Sequence, residues 1–160
     1  KSIQQEFSNL LFMNKPPAKI TRAQWIVRII FAVVFFLNIQ CAFQFIVSPE
    51  HYLAAYELEG VSGSIALQGL GIAFLMWNAT YPLYLINPIK YPTLGIIILA
   101  QQMIGLIGES TLLFSLPPEH DLLYDSIVRF ICFDGIGLVV MGVAYALLYT
   151  TLRQAKRNHH

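Results

Sequence analysis

Four apolar blocks, each long enough to cross about 30 Å of hydrocarbon at ~1.5 Å per residue, run through this 160-residue chain. They lie at about residues 24–47, 61–86, 94–116 and 126–152. A soluble core helix is rarely so long and so apolar, and four in succession predict an all-α integral membrane four-helix bundle. Composition agrees. Hydrophobic residues make up 56% and charged residues 12% of the chain, where soluble domains carry about a quarter charged residues.

Residues 1–20 read as an N-terminal segment, 21–152 as the spanning domain and 153–160 as a basic tail. Ile3, Phe7, Leu10 and Leu11 recur at helical spacing, which predicts a short amphipathic helix over residues 2–13. Such a helix lies on the leaflet or packs on a partner subunit, and Pro16-Pro17 would break it from the first block. Thr21 and Gln24 form a capping-box pattern that predicts the start of the first spanning helix. No apolar run precedes that block, so no signal peptide is read here.

Charge orients the blocks. Nine of the ten Lys and Arg residues fall on one side: Lys1, Lys15, Lys19, Arg22, Arg28, Lys90, Arg153, Lys156 and Arg157. The two opposite loops hold Glu50, Glu57, Glu59, Glu119, Asp121 and Asp125, with no Lys or Arg. The positive-inside rule then puts both termini and Lys90 on the cytoplasmic side of a cell inner membrane. Trp25, Tyr81, Tyr84, Tyr91 and Tyr149 read as the inner aromatic belt, and Tyr52, Tyr56 and Tyr124 as the outer one.

Polar residues inside the bilayer are costly and therefore point to function. Counting from the helix ends places Asn38, Gln40, Gln44, Gln68, Glu109, Arg129 and Asp134 in the outer half. Glu109 and Arg129 fall at nearly equal depth and are expected to pair, structurally or around a ligand or proton. Asp134 falls level with Asn38 and is expected to bond it or face a partner. Gln101, Gly105, Gly108 and Glu109 fall near one stripe of the third block, flanked by Gln102. With Gly69, Gly71, Gly135, Gly137 and Gly142, these glycines read as close-packing positions. Arg28 and Asn78 make a smaller polar group in the inner half, with Arg28 snorkelling to headgroups. Cys41 and Cys132 form no CxxC pair and read as inert.

The outer loops echo each other as Pro49-Glu50-His51 and Pro118-Glu119-His120. The echo is consistent with a two-hairpin internal repeat, or with ordinary helix-stop chemistry. A sharper reading gathers His51, His120, Glu50 and Glu119 around a divalent metal. No helical His spacing supports that reading.

Absences narrow the field. No histidine lies within a block, which excludes a transmembrane bis-histidine haem. There is no P-loop, zincin or Gly-x-Ser-x-Gly motif, and no CxxC. Four spans are too few for a typical secondary transporter unless the chain oligomerises. A net charge of +1 that follows topology gives no support to nucleic-acid binding. No cofactor is indicated.

Arg28 opens the first block, Ser48-Pro49 ends it, and residues 52–61 lead into the second. A basic turn, Asn87-Pro88-Ile89-Lys90-Tyr91-Pro92, precedes the third. In this layout, over about residues 25–150, the chain resembles the DoxX-like superfamily of small four-helix membrane proteins. The resemblance implies an accessory subunit linked to quinone or thiol redox systems. The first-span amides and the repeated Pro-Glu-His loops depart from that pattern.

Two functions follow as expectations. The first is an accessory subunit, or a bundle binding a lipid- or quinone-type small molecule, with no catalytic centre and with other membrane subunits or further copies as partners. The second is a small membrane enzyme or proton-coupled carrier using Glu109, Arg129 and Asp134.

Overall fold

A computed structural model of the chain describes residues 18–157. Among these residues the fold is entirely helical: α1 (Ala18–Val47), α2 (Gly60–Asn78), α3 (Tyr81–Ile86), α4 (Pro92–Ser115) and α5 (Asp121–Arg157). Two 3-10 turns, Pro49–His51 and Ala54–Tyr56, lie in the loop between α1 and α2. Taking α2 and α3 together, four helices are long and apolar enough to cross a membrane. The expected N-terminal helix over residues 2–13 lies outside the described residues.

The helix limits differ from the apolar blocks for local reasons. α1 is already formed at Ala18, so Thr21 and Gln24 lie inside it and do not cap it. α5 extends five residues beyond the fourth block at either end. Asp121 in its first turn and Lys156 and Arg157 in its last complement the helix dipole, so polar sequence continues the helix. α4 opens two residues early because Pro92 suits the first helical turn.

The second block is broken. Pro82 has no N–H to donate to the carbonyl four residues back, and α2 stops at Asn78. Side chains bond carbonyls of the turn before the break. Asn78 Nδ2 donates to Phe74 O at 2.8 Å, and Thr80 Oγ1 donates to Trp77 O at 3.4 Å. Thr80 Oγ1 also lies 3.3 Å from Gln101 Oε1 on α4.

α1 packs against α2 on one side and α5 on the other, and α4 packs along α5. Gly71 permits the first contact, since a Cβ there would sit 2.7 Å from Ala42 O. The main core lies toward the end that carries both described termini. It comprises Val27, Phe31 and Val34 of α1, Tyr81 and Tyr84 of α3, Ile98 of α4, and Met141, Ala144 and Leu148 of α5. The exterior is as apolar as the core: Trp25, Ile29, Phe36, Ile104, Phe114 and Ile136 are all more than half exposed. A surface of this kind matches lipid and would aggregate in water.

Two aromatic assignments change. Tyr81 and Tyr84 are 2% and 0% exposed, so they are core residues and not an interfacial belt. Phe31 lies 4.8 Å from Tyr84 and 6.3 Å from Tyr81 between ring centroids, which fixes the short α3 against α1. α3 also contacts α4, whereas α2 and α4 barely approach each other. The bundle is thus closed at the terminal end and has an open flank between α2 and α4 at the loop end.

Candidate functional site

Polar side chains from every spanning segment meet beside that flank. They line a cavity of about 60 Å³ formed by Asn38 of α1, Phe74, Trp77 and Asn78 of α2, Gln102, Gly105 and Glu109 of α4, and Phe130 and Asp134 of α5. The volume is well above the roughly 10–15 Å³ that a single water needs.

α4 and α5 are joined at the cavity wall. Gln102 Nε2 donates to Asp134 Oδ1 at 2.8 Å, and Gln102 is 5% exposed. Two glycines make room for this bond. A Cβ at Gly105 would lie 2.5 Å from Asp134 Oδ2, and one at Gly137 would lie 3.0 Å from Gln102 Nε2. Asn78 is 3% exposed; its amide nitrogen is committed to Phe74 O, while its Oδ1 is buried without a partner. Glu109 Oε2 is likewise buried and unpartnered. Buried polar atoms are nearly always bonded, so Asn78 and Glu109, both residues of the lining, each carry an acceptor whose donor is missing.

Aromatic rings close the loop end. Phe74 and Phe130 stand 5.9 Å apart, with Phe45 at 6.1 and 6.5 Å from them and Tyr56 at 5.6 Å from Phe45. Toward the termini, the Phe31, Tyr81, Tyr84 and Met141 core blocks the cavity from the other side.

Several expected site residues lie elsewhere. Gln40 and Gln44 are exposed on α1, away from the cavity. Gln68 Nε2 donates to Ile46 O at 3.1 Å and satisfies the last turn of α1. Gln101 faces Thr80 at the helix break. The expected Glu109–Arg129 pair does not form. Arg129 bonds its own helix, through Nε to Asp125 O at 3.2 Å and through a terminal nitrogen to Ser126 Oγ at 3.3 Å. Asp134 shares the cavity with Asn38, but its hydrogen bond comes from Gln102. Asn78 belongs to this central cavity and not with Arg28, which donates to Ile86 O at the end of α3 and lies 5.2 Å from the Trp25 ring.

Phe74, Trp77 and Phe130 were not anticipated, because apolar residues in an apolar span carry no signal. Asn78 had one: it lies four residues before Pro82, where a backbone carbonyl loses its donor.

The loops tie together across the mouth. Glu57, at φ 53°, accepts from His120 Nδ1 and, at 3.3 Å, from the Leu123 N–H in the first turn of α5. Its carboxylate thus caps α5 from another loop. Ser126 Oγ donates to Ala55 O at 2.6 Å. The hydrogen bond from His120, opposed by slight burial and helped by the Leu123 N–H, holds the Glu57 carboxyl below its ordinary range. Among the described residues, no three His, Cys, Asp or Glu side chains lie close enough to hold a metal. His51, Glu50 and Glu119 are exposed, while His120 is engaged by Glu57. The two Pro-Glu-His units also differ in shape: the first is a 3-10 turn, the second an open turn before α5. Cys41 and Cys132 are both free.

Comparison with family models, curated protein sequences and solved structures gave no match for this chain.

Proposed function

We propose that this chain is a multi-pass inner-membrane protein, with both termini cytoplasmic, that binds a small lipid-borne molecule in the cavity between its four spanning segments. One observation carries the reading: all four segments contribute to a single polar cavity whose buried acceptors are unsatisfied. Ligand sites combine an apolar wall with a few convergent polar groups, and this cavity has that composition. The DoxX-like layout and its link to accessory subunits of quinone systems are compatible with such a role. The absence of a nucleophile–base pair among the lining residues favours binding over catalysis.

Gln40 and Gln44 support an accessory or oligomeric setting. They lie one turn apart on an exposed face of α1, where amides facing lipid are costly and a neighbouring helix could bond them. The partner in this reading is another membrane subunit or a second copy of the chain.

Native mass spectrometry of protein extracted in mild detergent tests the binding reading. A bound small molecule is expected at near-unit stoichiometry and is expected to be lost on Gly105→Leu, which fills the cavity. A ligand-free protein, or a ligand retained in Gly105→Leu, overturns it.

The rival reading, a proton-coupled carrier, keeps one favourable observation. Glu109 and Asp134 line the same cavity without a cationic side chain beside them. Arg129 has no place in it, being bonded along its own helix. Separate Glu109→Gln and Asp134→Asn variants that retain full function while folding normally would remove this rival.

A further inference from the structure

We propose that the cavity takes a primary ammonium head group on an apolar tail, admitted from the lipid through the open flank between α2 and α4. The proposal deepens the binding reading above and rests on it. Three independent features of the site support it.

The first is the sense of the unsatisfied hydrogen bonds. Gln102 occupies Asp134 Oδ1, and Asn78 has spent its amide nitrogen on Phe74 O. What remains buried without a partner is oxygen: Asn78 Oδ1, on a side chain that is 3% exposed, and Glu109 Oε2. A head group bearing only carbonyl acceptors would leave these atoms unpaired. An ammonium brings three donors and no acceptor.

The second is charge. Two carboxylates line the cavity and no Lys, Arg or His does. The ion pair of His120 with Glu57 is at the loop surface, away from the cavity. The Phe74, Trp77 and Phe130 side chains in the lining add aromatic faces, which attract cations when water is excluded. Carboxylates, amide oxygens and aromatic faces without a cationic residue form a lining suited to a cation.

The third is shape. Aromatic packing closes the cavity toward both ends of the bundle, while the backbones of α2 and α4 stay apart, with the Trp77 side chain reaching Gly105 between them. Access is therefore lateral, and the molecule arrives dissolved in lipid. A volume of about 60 Å³ admits a small head group, since a single water needs roughly 10–15 Å³ of such space. A trimethylammonium group has no N–H to donate to these oxygens, and the tail remains in the flank.

The test uses the full chain in phosphatidylcholine nanodiscs, with Trp25→Phe so that Trp77 is the fluorescent reporter. Dodecylammonium, dodecanol and dodecyltrimethylammonium are titrated separately. The expected result is a saturable Trp77 response to dodecylammonium alone, weakened about tenfold or more by Asp134→Asn and by Glu109→Gln. Glu109→Gln is the safer variant for folding, since no hydrogen bond to its Oε2 is lost. Dodecylammonium binding that is unchanged in both variants overturns the proposal. Dodecanol binding equally well overturns the ammonium assignment and, if lost in Gly105→Leu, leaves the binding reading standing. A linear response to all three compounds, together with ligand-free native protein, removes both.

Discussion

Gln102 donates to Asp134 across the α4–α5 interface at 2.8 Å, and this bond is made beside a cavity in which other acceptors are left open. The two residues act as a unit. Gln102→Leu strands a half-buried carboxyl, whereas Gln102→Leu with Asp134→Leu removes both halves. Leaving one partner buried alone costs about 1–3 kcal/mol, and replacing both by apolar groups costs far less. Denaturation of the two single variants and the double variant in detergent is expected to show strong non-additivity. Additive losses would show that the bond contributes nothing beyond packing.

The glycines divide into two classes that a substitution series separates. At Gly71 a Cβ would meet Ala42 O at 2.7 Å, and backbone cannot yield as a side chain can. Gly71→Ala is expected to destabilise by about 1–3 kcal/mol through overpacking. At Gly69 nothing lies within 4 Å of an added Cβ. Gly69→Ala is expected to be neutral or to stabilise by up to about 1 kcal/mol through helix propensity. Thermal melting in one detergent reads both, and equal shifts would contradict the close approach of α1 and α2.

Glu57 gives the loops an acid dependence of known sign. Its carboxyl is held below the ordinary 4.5 by the hydrogen bond from His120. A carboxyl depressed by folding contributes stability above its unfolded value, and that contribution is lost as pH falls through the folded value. The stability difference between native protein and Glu57→Gln is therefore expected to persist at neutral pH and to shrink below about pH 4.5. Melting curves of both proteins across pH 3–7 measure it. A difference that grows on acidification reverses the assignment.

Orientation has a direct readout. In a Cys41→Ser, Cys132→Ser background, Glu119→Cys is expected to react with a membrane-impermeant maleimide in intact cells. Lys90→Cys is expected to react only after permeabilisation. Both positions are exposed on the protein surface. The opposite pattern would invert the topology read from the distribution of Lys and Arg.

Hydropathy made the four long apolar helices legible because it depends on position along the chain alone. The site was half legible for the same reason. Asn38, Gln102, Glu109 and Asp134 stand out as polar residues in apolar blocks and do meet in the cavity. Gln40 and Gln44 stand out equally and do not. Asn38 and Gln40 differ by about 200° around one helix, and with apolar residues on every side no stripe marks which direction is inward. Depth alone also suggested Glu109 with Arg129. Arg129 instead reaches Asp125 and Ser126, four and three residues back on its own helix. Phe74, Trp77 and Phe130 were illegible, since an aromatic ring facing a cavity and one facing lipid look identical in sequence.

The partnership of α1 with α5 bears on how the chain is made. A ribosome delivers the first crossing long before the fourth, so α1 must sit in the bilayer with one flank uncovered until synthesis is nearly complete. Two hairpins, α1 with α2 and α4 with α5, can each pair as they insert. Asn38 and Asn78 belong to the first hairpin, while Gln102, Glu109 and Asp134 belong to the second. Gln102 and Asp134 already bond each other within the second hairpin, so Asn38, Asn78 and Glu109 are the polar groups left facing hydrocarbon until the hairpins dock, and covering them favours docking. The same side chains that shape the finished cavity thus act earlier as the adhesive of assembly, and a nascent chain arrested before α5 should be the form that quality-control proteases recognise.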